Sequence, residues 1–118
     1  MVLVVVLSMA AMGTASGAIT LAQSFSGGTY FNAGAIKTSG QYHSKSCYAQ
    51  TKGYSGKHYV RAYVGGSNND PAKAWADTGR CYSTGDIKKT CTTSQQLIPR
   101  GTLLSSWFPT GYAKYGTS

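Results

Sequence analysis

Small aliphatic side chains alternate with larger aromatic or charged ones in one segment of the chain. Residues 57–64 contain two sets of alternate positions, which are Val60, Ala62 and Val64 on one side and Tyr59, Arg61 and Tyr63 on the other. Successive side chains of a β-strand point to opposite faces of the sheet, so this period of two predicts a strand. We expect its aliphatic face to point into the core.

Seven further segments have the composition of short strands, and turn-forming residues separate most of them. The segments are residues 19–25, 29–37, 44–51, 73–82, 87–93, 102–108 and 112–115. Turn residues are densest at residues 26–28, 53–56, 65–71, 83–86 and 109–111. No helical period continues beyond residue 22, although Asp70 and Pro71 could begin one helical turn over residues 71–76. The pattern predicts an all-β fold, a small antiparallel sandwich or barrel of about 6–8 short strands.

The first 36 residues contain no charged side chain, and their N-terminal part has the features of a secretion signal. An apolar run is followed by small residues up to Gly17 and Ala18, which is typical of a secretory signal peptide and its cleavage site. We therefore expect residues 1–18 to be a signal peptide, followed by a single β domain at residues 19–118. The alternative is a retained apolar helix, because residues 1–22 are long enough to cross a membrane or to pack between subunits. Both alternatives place the β domain outside the cytoplasm, secreted or at the cell surface.

The β domain contains few residues of the kind that form strong hydrophobic cores. Leucine, isoleucine, valine and phenylalanine occupy 13 of the 100 positions from residue 19 to residue 118. A share below roughly 20%, together with a high net charge, shifts the expectation toward disorder. Tyrosine and tryptophan add large buried areas, which keeps a compact β domain feasible. We expect such a domain to need a disulfide, a metal ion or association with other subunits.

Three cysteines are present, and an oxidising compartment would allow one disulfide bond among them. Cys81 and Cys91 flank the turn at residues 83–86, so a hairpin there would bring them together, and we expect this pair to form the bond. Cys47 is then either a buried free thiol or the site of an intersubunit bridge. A catalytic Cys47 is disfavoured, because His43 would lie about 13 Å away along the same strand.

The side chains that most enzyme reactions require are scarce. The chain has three aspartates, no glutamate and two histidines, His43 and His58. No pattern brings the two imidazoles together, and the cysteine and histidine spacings lack the short ligand pairs of structural zinc sites. The sequence also lacks a nucleophile elbow and a phosphate-binding loop. We therefore expect no enzyme activity, no catalytic residue, no metal and no cofactor, with a small secreted ribonuclease-like toxin as the enzymatic alternative.

Eleven lysine and arginine residues against three aspartates leave a net charge of +8. The positive charges are spread along the chain in runs no longer than two, whereas nucleic-acid-binding proteins usually cluster them. Nucleic acid is therefore disfavoured as a partner, and outside a cell the anionic partners are envelope polymers, phospholipids and acidic glycans. Membrane contact is expected only through residues 1–22, if they are retained.

Aromatic residues are densest in one late segment of the chain, at Trp107, Phe108, Tyr112 and Tyr115. Aromatic residues on an open strand suit pairing with a neighbouring subunit. The domain also has few core-forming residues and one cysteine left over after a single disulfide bond. Together these features predict a self-associating structural protein, a filament or surface-layer-like subunit. The alternative is a cationic protein that binds the cell envelope or glycans. In overall character the chain resembles small secreted β proteins of Gram-positive bacteria, including lactococcin-like bacteriocins.

Overall fold

Two antiparallel β-sheets, packed face to face, form the fold in a computed structural model that describes residues 24–117. The elements in chain order are β1 (Ser24–Lys37), β2 (Gly40–Lys52), β3 (His58–Ser67), β4 (Asp70–Asp77), β5 (Cys81–Ser83), β6 (Ile87–Thr92), β7 (Gln96–Pro99), the short helix α1 (Leu104–Trp107) and β8 (Gly111–Gly116). The predicted all-β class is confirmed, and the separation into two sheets makes the fold sandwich-like. The apolar helix expected at residues 1–22 lies outside the described residues.

The first sheet, sheet A, is built around β2. β1 pairs antiparallel with β2 along nearly its whole length. On its other edge β2 pairs with two strands in turn, with β7 at residues 40–43 and with β6 at residues 46–51. Between these two strands, the Thr93 amide donates to the Lys45 carbonyl at 2.9 Å, and the Lys45 amide donates to the Thr93 hydroxyl at 3.0 Å. β2 is therefore hydrogen-bonded along both edges.

The second sheet, sheet B, is built around β3. On one edge β3 pairs with β8, and on the other it pairs with β5 near its start and with β4 near its end. Val60, Ala62 and Val64 are each 0% exposed, so the predicted inward face is confirmed. The opposite face is also covered, because Tyr59 and Tyr63 are only 4% and 1% exposed. β3 is thus buried on both sides of its sheet.

Small side chains dominate the interface between the two sheets. The buried cluster consists of Phe25, Cys47, Ala49, Val60, Ala62, Val64, Cys91 and Ala113. Alanine and cysteine at these positions allow the sheets to approach closely, so few large aliphatic residues are needed. Aromatic rings adjoin this cluster, with the Tyr115 ring centroid 4.7 Å from that of Phe25 and 5.6 Å from that of Tyr54. Tyrosine thus supplies buried apolar area that aliphatic residues provide in most domains.

Two predicted strands take a different form in the structure. The segment 73–82 is divided between β4 and β5, because Gly79 adopts a φ of +70° and turns the chain. The Asp77 carboxylate stabilises this turn by accepting a hydrogen bond from the Gly79 amide at 2.8 Å. The segment 102–108 contains α1 instead of a strand, so that prediction is wrong. Across residues 24–117, no helix has the length and hydropathy that a membrane span requires.

Strand pairing overrides one turn signal and one helix signal, and one strand of the structure was not predicted. The glycines at residues 26–28 continue β1, since β2 supplies a ladder partner opposite each of these residues. Residues 71–76 belong to β4 and do not form the alternative helical turn. Pro71 is tolerated there because β4 is an edge strand and the proline lies near its start. The sequence pattern does not predict β7, whose one buried side chain is Ile98 at 3% exposure.

Candidate functional site

A cavity of about 180 Å³ opens on the outer face of sheet B, on the side of β3 that points away from sheet A. Seven residues line it: Tyr59, Arg61, Tyr63, Asn69, Pro71, Arg80 and Lys114. Three of these side chains are cationic and two are aromatic, and no acidic side chain is among these lining residues. This combination has the chemistry of an anion-binding site.

Strand pairing places the three cationic side chains next to one another across sheet B. Arg61 lies in the middle of β3, and Lys114 of β8 is its direct partner on one edge. On the other edge Cys81 is the partner of Val60, so Arg80, the residue before Cys81, comes alongside Arg61. Like charges that face each other on neighbouring strands destabilise a sheet. Hydrogen bonds from Arg61 to Asp77 and from Lys114 to Asn68 offset part of this repulsion.

One carboxylate lies beside the row and fixes the position of its central member. Arg61 donates from Nε to Asp77 Oδ1 at 2.9 Å and from Nη2 to Asp77 Oδ2 at 2.5 Å. Two parallel hydrogen bonds are the strong form of an arginine–carboxylate contact. The hydrogen bond with Arg61 lowers the pKa of Asp77, and the same contact raises the pKa of Arg61. Both groups therefore stay charged, and the guanidinium of Arg61 is held in one orientation.

Two tyrosine rings lie against the cavity and are themselves almost fully buried, Tyr59 at 4% and Tyr63 at 1% exposure. The guanidinium carbon of Arg80 lies 4.5 Å from the ring centroid of Tyr59. The Tyr63 hydroxyl donates to the Ser67 carbonyl at 2.9 Å and accepts from the Asn69 amide at 3.0 Å. These contacts hold the Tyr63 ring against the β3–β4 turn and the Tyr59 ring against the segment before β5.

Lys114 is the least exposed of the three cations. The residue is 5% exposed, and its ammonium group donates a hydrogen bond to Asn68 Oδ1. Burial lowers the pKa of Lys114, because the charged form loses hydration.

The four aromatic residues predicted for self-association lie in different environments. Phe108 is 3% exposed, and its ring centroid lies 5.8 and 5.9 Å from those of two other aromatic rings. Tyr112 and Tyr115 stack on rings of the same sandwich, on a strand that pairs with β3. Trp107, at 38% exposure, offers more of its side chain to solvent than the other three. Three of the four therefore contribute to the fold of their own chain.

The hairpin expected between Cys81 and Cys91 does not form. β5, which contains Cys81, pairs with β3 in sheet B, whereas β6, which contains Cys91, pairs with β2 in sheet A. The turn at residues 83–86 carries the chain from one sheet to the other, and the predicted disulfide is absent. All three cysteines are free, and Cys91 has Cys47 as its direct strand partner. Cys47 is 1% exposed, so in this fold its sulfur cannot reach a second subunit.

Alkylation of the folded protein should modify Cys81 well before the other two cysteines. Burial raises the pKa of Cys47 to about 12 and also raises the pKa of Cys91. Because the thiolate is the reactive form, a pKa near 12 instead of 9.0 lowers the thiolate fraction of Cys47 about 1,000-fold at neutral or mildly alkaline pH. Iodoacetamide labelling followed by peptide mass spectrometry measures the order. Labelling of Cys47 ahead of Cys81 would contradict this arrangement.

The two histidines lie too far apart to act together on one substrate. His58 lies beside Thr51, with Nε2 2.8 Å from the threonine hydroxyl. His43 is eight residues from Thr51 on β2, which corresponds to about 26 Å along the strand. The structure thus does not assemble the acid–base pair that a ribonuclease-like reaction would use. Within residues 24–117, no group of three histidine, cysteine or acidic side chains is placed to hold a metal ion.

Comparison with known proteins supplies no analogue for this site. No protein-family model matches the chain, and no match was found among curated proteins or solved structures.

None of the residues that line the cavity is among the site residues predicted from the sequence. The alternation in residues 57–64 already places Tyr59, Arg61 and Tyr63 on one face, and the aromatic and cationic character of that face is the signal that could have marked it. Arg80 and Lys114 join this face only through the pairing of β3 with β5 and β8. The short-range pattern around these two residues contains no sign of that pairing.

Proposed function

We propose that this protein is a secreted or surface-attached β-sandwich that binds phosphate-bearing polymers of a cell envelope. The observation that carries the proposal is the net charge of +8, eleven cations against three aspartates, spread along the chain with several cations beside aromatic rings. A polymer with anionic groups at regular intervals could contact several of the eleven cations of the chain at once. Multiple weak contacts along one ligand add up to useful affinity.

Pairs of a cation and an aromatic ring outside the cavity support the same proposal. Lys88 lies 4.9 Å from the ring centroid of Tyr48 on sheet A, and Lys57 lies 5.1 Å from that of Tyr82 at sheet B. A ring beside a cation offers a flat surface to a sugar or glycerol unit and a charge to its phosphate. Such pairs on both sheets suit a chain-like ligand better than a single small molecule.

Self-association is a second candidate, favoured by the edges of the two sheets. Among residues 24–117, β1 and β8 each pair with a neighbour on one edge, and the two strands contact each other across the sandwich. Their other edges therefore lie on the same side of the molecule and could pair with another subunit. Tyr30 and Ile36 of β1, which are 48% and 72% exposed, would be covered by such pairing.

Binding to a phosphate polymer should weaken steeply as salt is added. A poly(glycerol phosphate) chain that contacts about three cations should lose about 100-fold in affinity between about 0.05 and 0.5 M NaCl, because binding releases counterions. Titration calorimetry of the protein with this polymer measures the effect. A neutral glucan of similar length is the matched control ligand, and we expect it not to bind.

Several outcomes would overturn the proposal. Equal binding of the glucan would show that charge is not used, and binding to phosphatidylglycerol vesicles without binding to the soluble polymer would assign the protein to membrane surfaces. Light scattering of the same samples tests the second candidate. Regular polymers or a fixed oligomer of the protein that leave the glycerol phosphate polymer unbound would favour self-association instead.

A further inference from the structure

We propose that Cys47 and Cys91 form a disulfide bond when the chain folds in an oxidising compartment. Both residues are free thiols in the structure. The inference rests on the proposed function only for the location outside the cytoplasm, where disulfide bonds persist, and it is independent of the ligand. A bond between these two residues leaves Cys81, and not Cys47, as the odd thiol of the chain.

The register of sheet A places the two cysteines directly opposite each other. Cys47 of β2 is the strand partner of Cys91 of β6. Opposite residues of an antiparallel pair have Cα atoms about 4.5–5.5 Å apart, and their side chains point to the same face of the sheet. Disulfide bonds span Cα distances of about 4.4–6.8 Å. Because β6 is an edge strand of sheet A, side-chain rotation and a small approach of β6 suffice to join the two sulfurs.

The two thiols share one buried environment between the sheets. Cys47 is 1% exposed and Cys91 is 8% exposed, and both belong to the same core cluster. The pKa of Cys47 is raised by burial and secondly by the charge of Cys91, an effect that requires the two sulfurs to lie near each other. Formation of the bond removes one weak hydrogen bond, from the Cys47 sulfur to the Tyr112 carbonyl oxygen at 3.4 Å. The packed interface therefore loses little on oxidation.

Cys81 is the competitor for either partner, and its place in the fold disfavours it. It packs against the same cluster from β5 in sheet B, whereas the other two cysteines belong to sheet A. Packed sheets lie about 10 Å apart, which exceeds the Cα separation of roughly 7 Å that a disulfide can bridge. The Cys81 sulfur lies 3.6 Å from the Thr78 carbonyl oxygen and 3.7 Å from that of Gly79, at its own turn. One pair is thus favoured among the three cysteines.

The bond would form by thiol–disulfide exchange with a small disulfide such as oxidised glutathione. One cysteine thiolate attacks the glutathione disulfide and displaces a glutathione thiolate, and the second cysteine then attacks the mixed disulfide and displaces the other. The protein loses two hydrogen atoms, and one oxidised glutathione becomes two reduced molecules. In the folded chain β8 covers Cys47, since a Cβ atom at Gly111 would lie 3.3 Å from the Cys47 sulfur. The exchange therefore has to precede the docking of β8, and refolding is the appropriate test.

Refolding of the reduced full chain from urea in a glutathione buffer tests the inference. Trypsin cleaves after lysine and arginine and so separates the three cysteines into peptides 46–52, 81–88 and 90–100. After free thiols are blocked with iodoacetamide in urea, we expect the first and third peptides to be linked and Cys81 to be alkylated. The linked form should have a urea midpoint about 1–2 M above that of protein kept in dithiothreitol, because the bond closes a loop of about 45 residues in the unfolded chain.

Two serine variants show which cysteines are responsible. Cys81→Ser is the matched control and should keep both the linked peptides and the full shift of the urea midpoint. Cys91→Ser should lose both, so its oxidised and reduced samples should unfold at the same urea concentration. Each comparison is made between the two redox forms of one variant, so a general loss of stability from serine in the core does not affect it.

Three alkylated cysteines after refolding in the glutathione buffer would overturn the inference. A main product that links peptide 81–88 to either of the other two would overturn it as well, and both readouts use the unmodified protein. The polymer titration described above, made on the same refolded protein, separates the two proposals. Linked protein that does not bind the polymer would remove the proposed function alone, and polymer binding by protein with three free thiols would remove this inference alone.

Discussion

Alanine in place of His58 should lower the free energy of unfolding by about 3 kcal/mol. The residue is 0% exposed, its Nδ1 lies 2.7 Å from the Gly56 carbonyl oxygen, and its Nε2 lies 2.8 Å from the Thr51 hydroxyl. A carbonyl can only accept, so Nδ1 donates to Gly56 and Nε2 accepts from Thr51. Truncation would leave both partners without this hydrogen bond and would open a cavity beside the Tyr54 ring.

Urea unfolding followed by circular dichroism measures this loss, and His43→Ala is its matched control. His43 is half-buried, and its one side-chain hydrogen bond within the described residues joins Nδ1 and the Gln41 carbonyl at 3.2 Å. We expect His43→Ala to change stability by less than about 1 kcal/mol. Thr51→Val, combined with His58→Ala in a double-mutant cycle, should give a coupling of about 1 kcal/mol. Equal destabilisation by the two histidine substitutions would contradict the buried network.

Alanine in place of Gly40 should lower the free energy of unfolding by about 2 kcal/mol, because it pushes β7 away from β2. A Cβ atom at this position would lie 2.1 Å from the Ile98 carbonyl oxygen and 2.8 Å from its carbon. Both are backbone atoms, so a side-chain rotation cannot relieve the clash. β7 pairs with β2 over four residues only, and displacing it would expose Ile98, which is 3% exposed in the intact fold.

Gly85→Ala is the matched control for this substitution. A Cβ atom at Gly85 meets nothing within 4 Å, and this glycine is not among those with a positive φ. Alanine there restricts the unfolded chain, so stability should stay the same or rise by up to about 1 kcal/mol. Thermal or urea unfolding of both variants gives the comparison. Equal stability of the two variants would mean that β7 is not held against β2 as described.

The strand at β3 could be predicted from the sequence because its own residues contain all the information required. Val60, Ala62 and Val64 alternate with Tyr59 and larger polar residues, and this period alone sets the two faces. The same pattern does not show that the tyrosine face is also buried. Later parts of the chain cover that face, since Arg80 lies over the Tyr59 ring and Tyr112 packs against the Tyr63 ring.

Strand pairing explains why other predictions failed. A turn such as residues 83–86 is compatible with a hairpin and with a crossover between sheets, because turn residues determine the local bend and not the partner strand. The crossover separates the strands of Cys81 and Cys91, and the register of β6 sets Cys91 opposite Cys47. The two cations that complete the cavity are placed by the same kind of long-range pairing. Register and partner choice depend on the packing of both sheets, which no short window of sequence contains.

Folding must close a long loop before sheet B is complete, because Arg61 and its partner Lys114 are 53 positions apart in the sequence. Contacts of such separation incur the entropy cost of loop closure before they stabilise the chain, and all-β domains rich in them fold in about milliseconds to seconds. The cavity exists only once this distant pairing has formed. Partly folded chains therefore lack this cavity, and a ligand that binds there would select completely folded molecules.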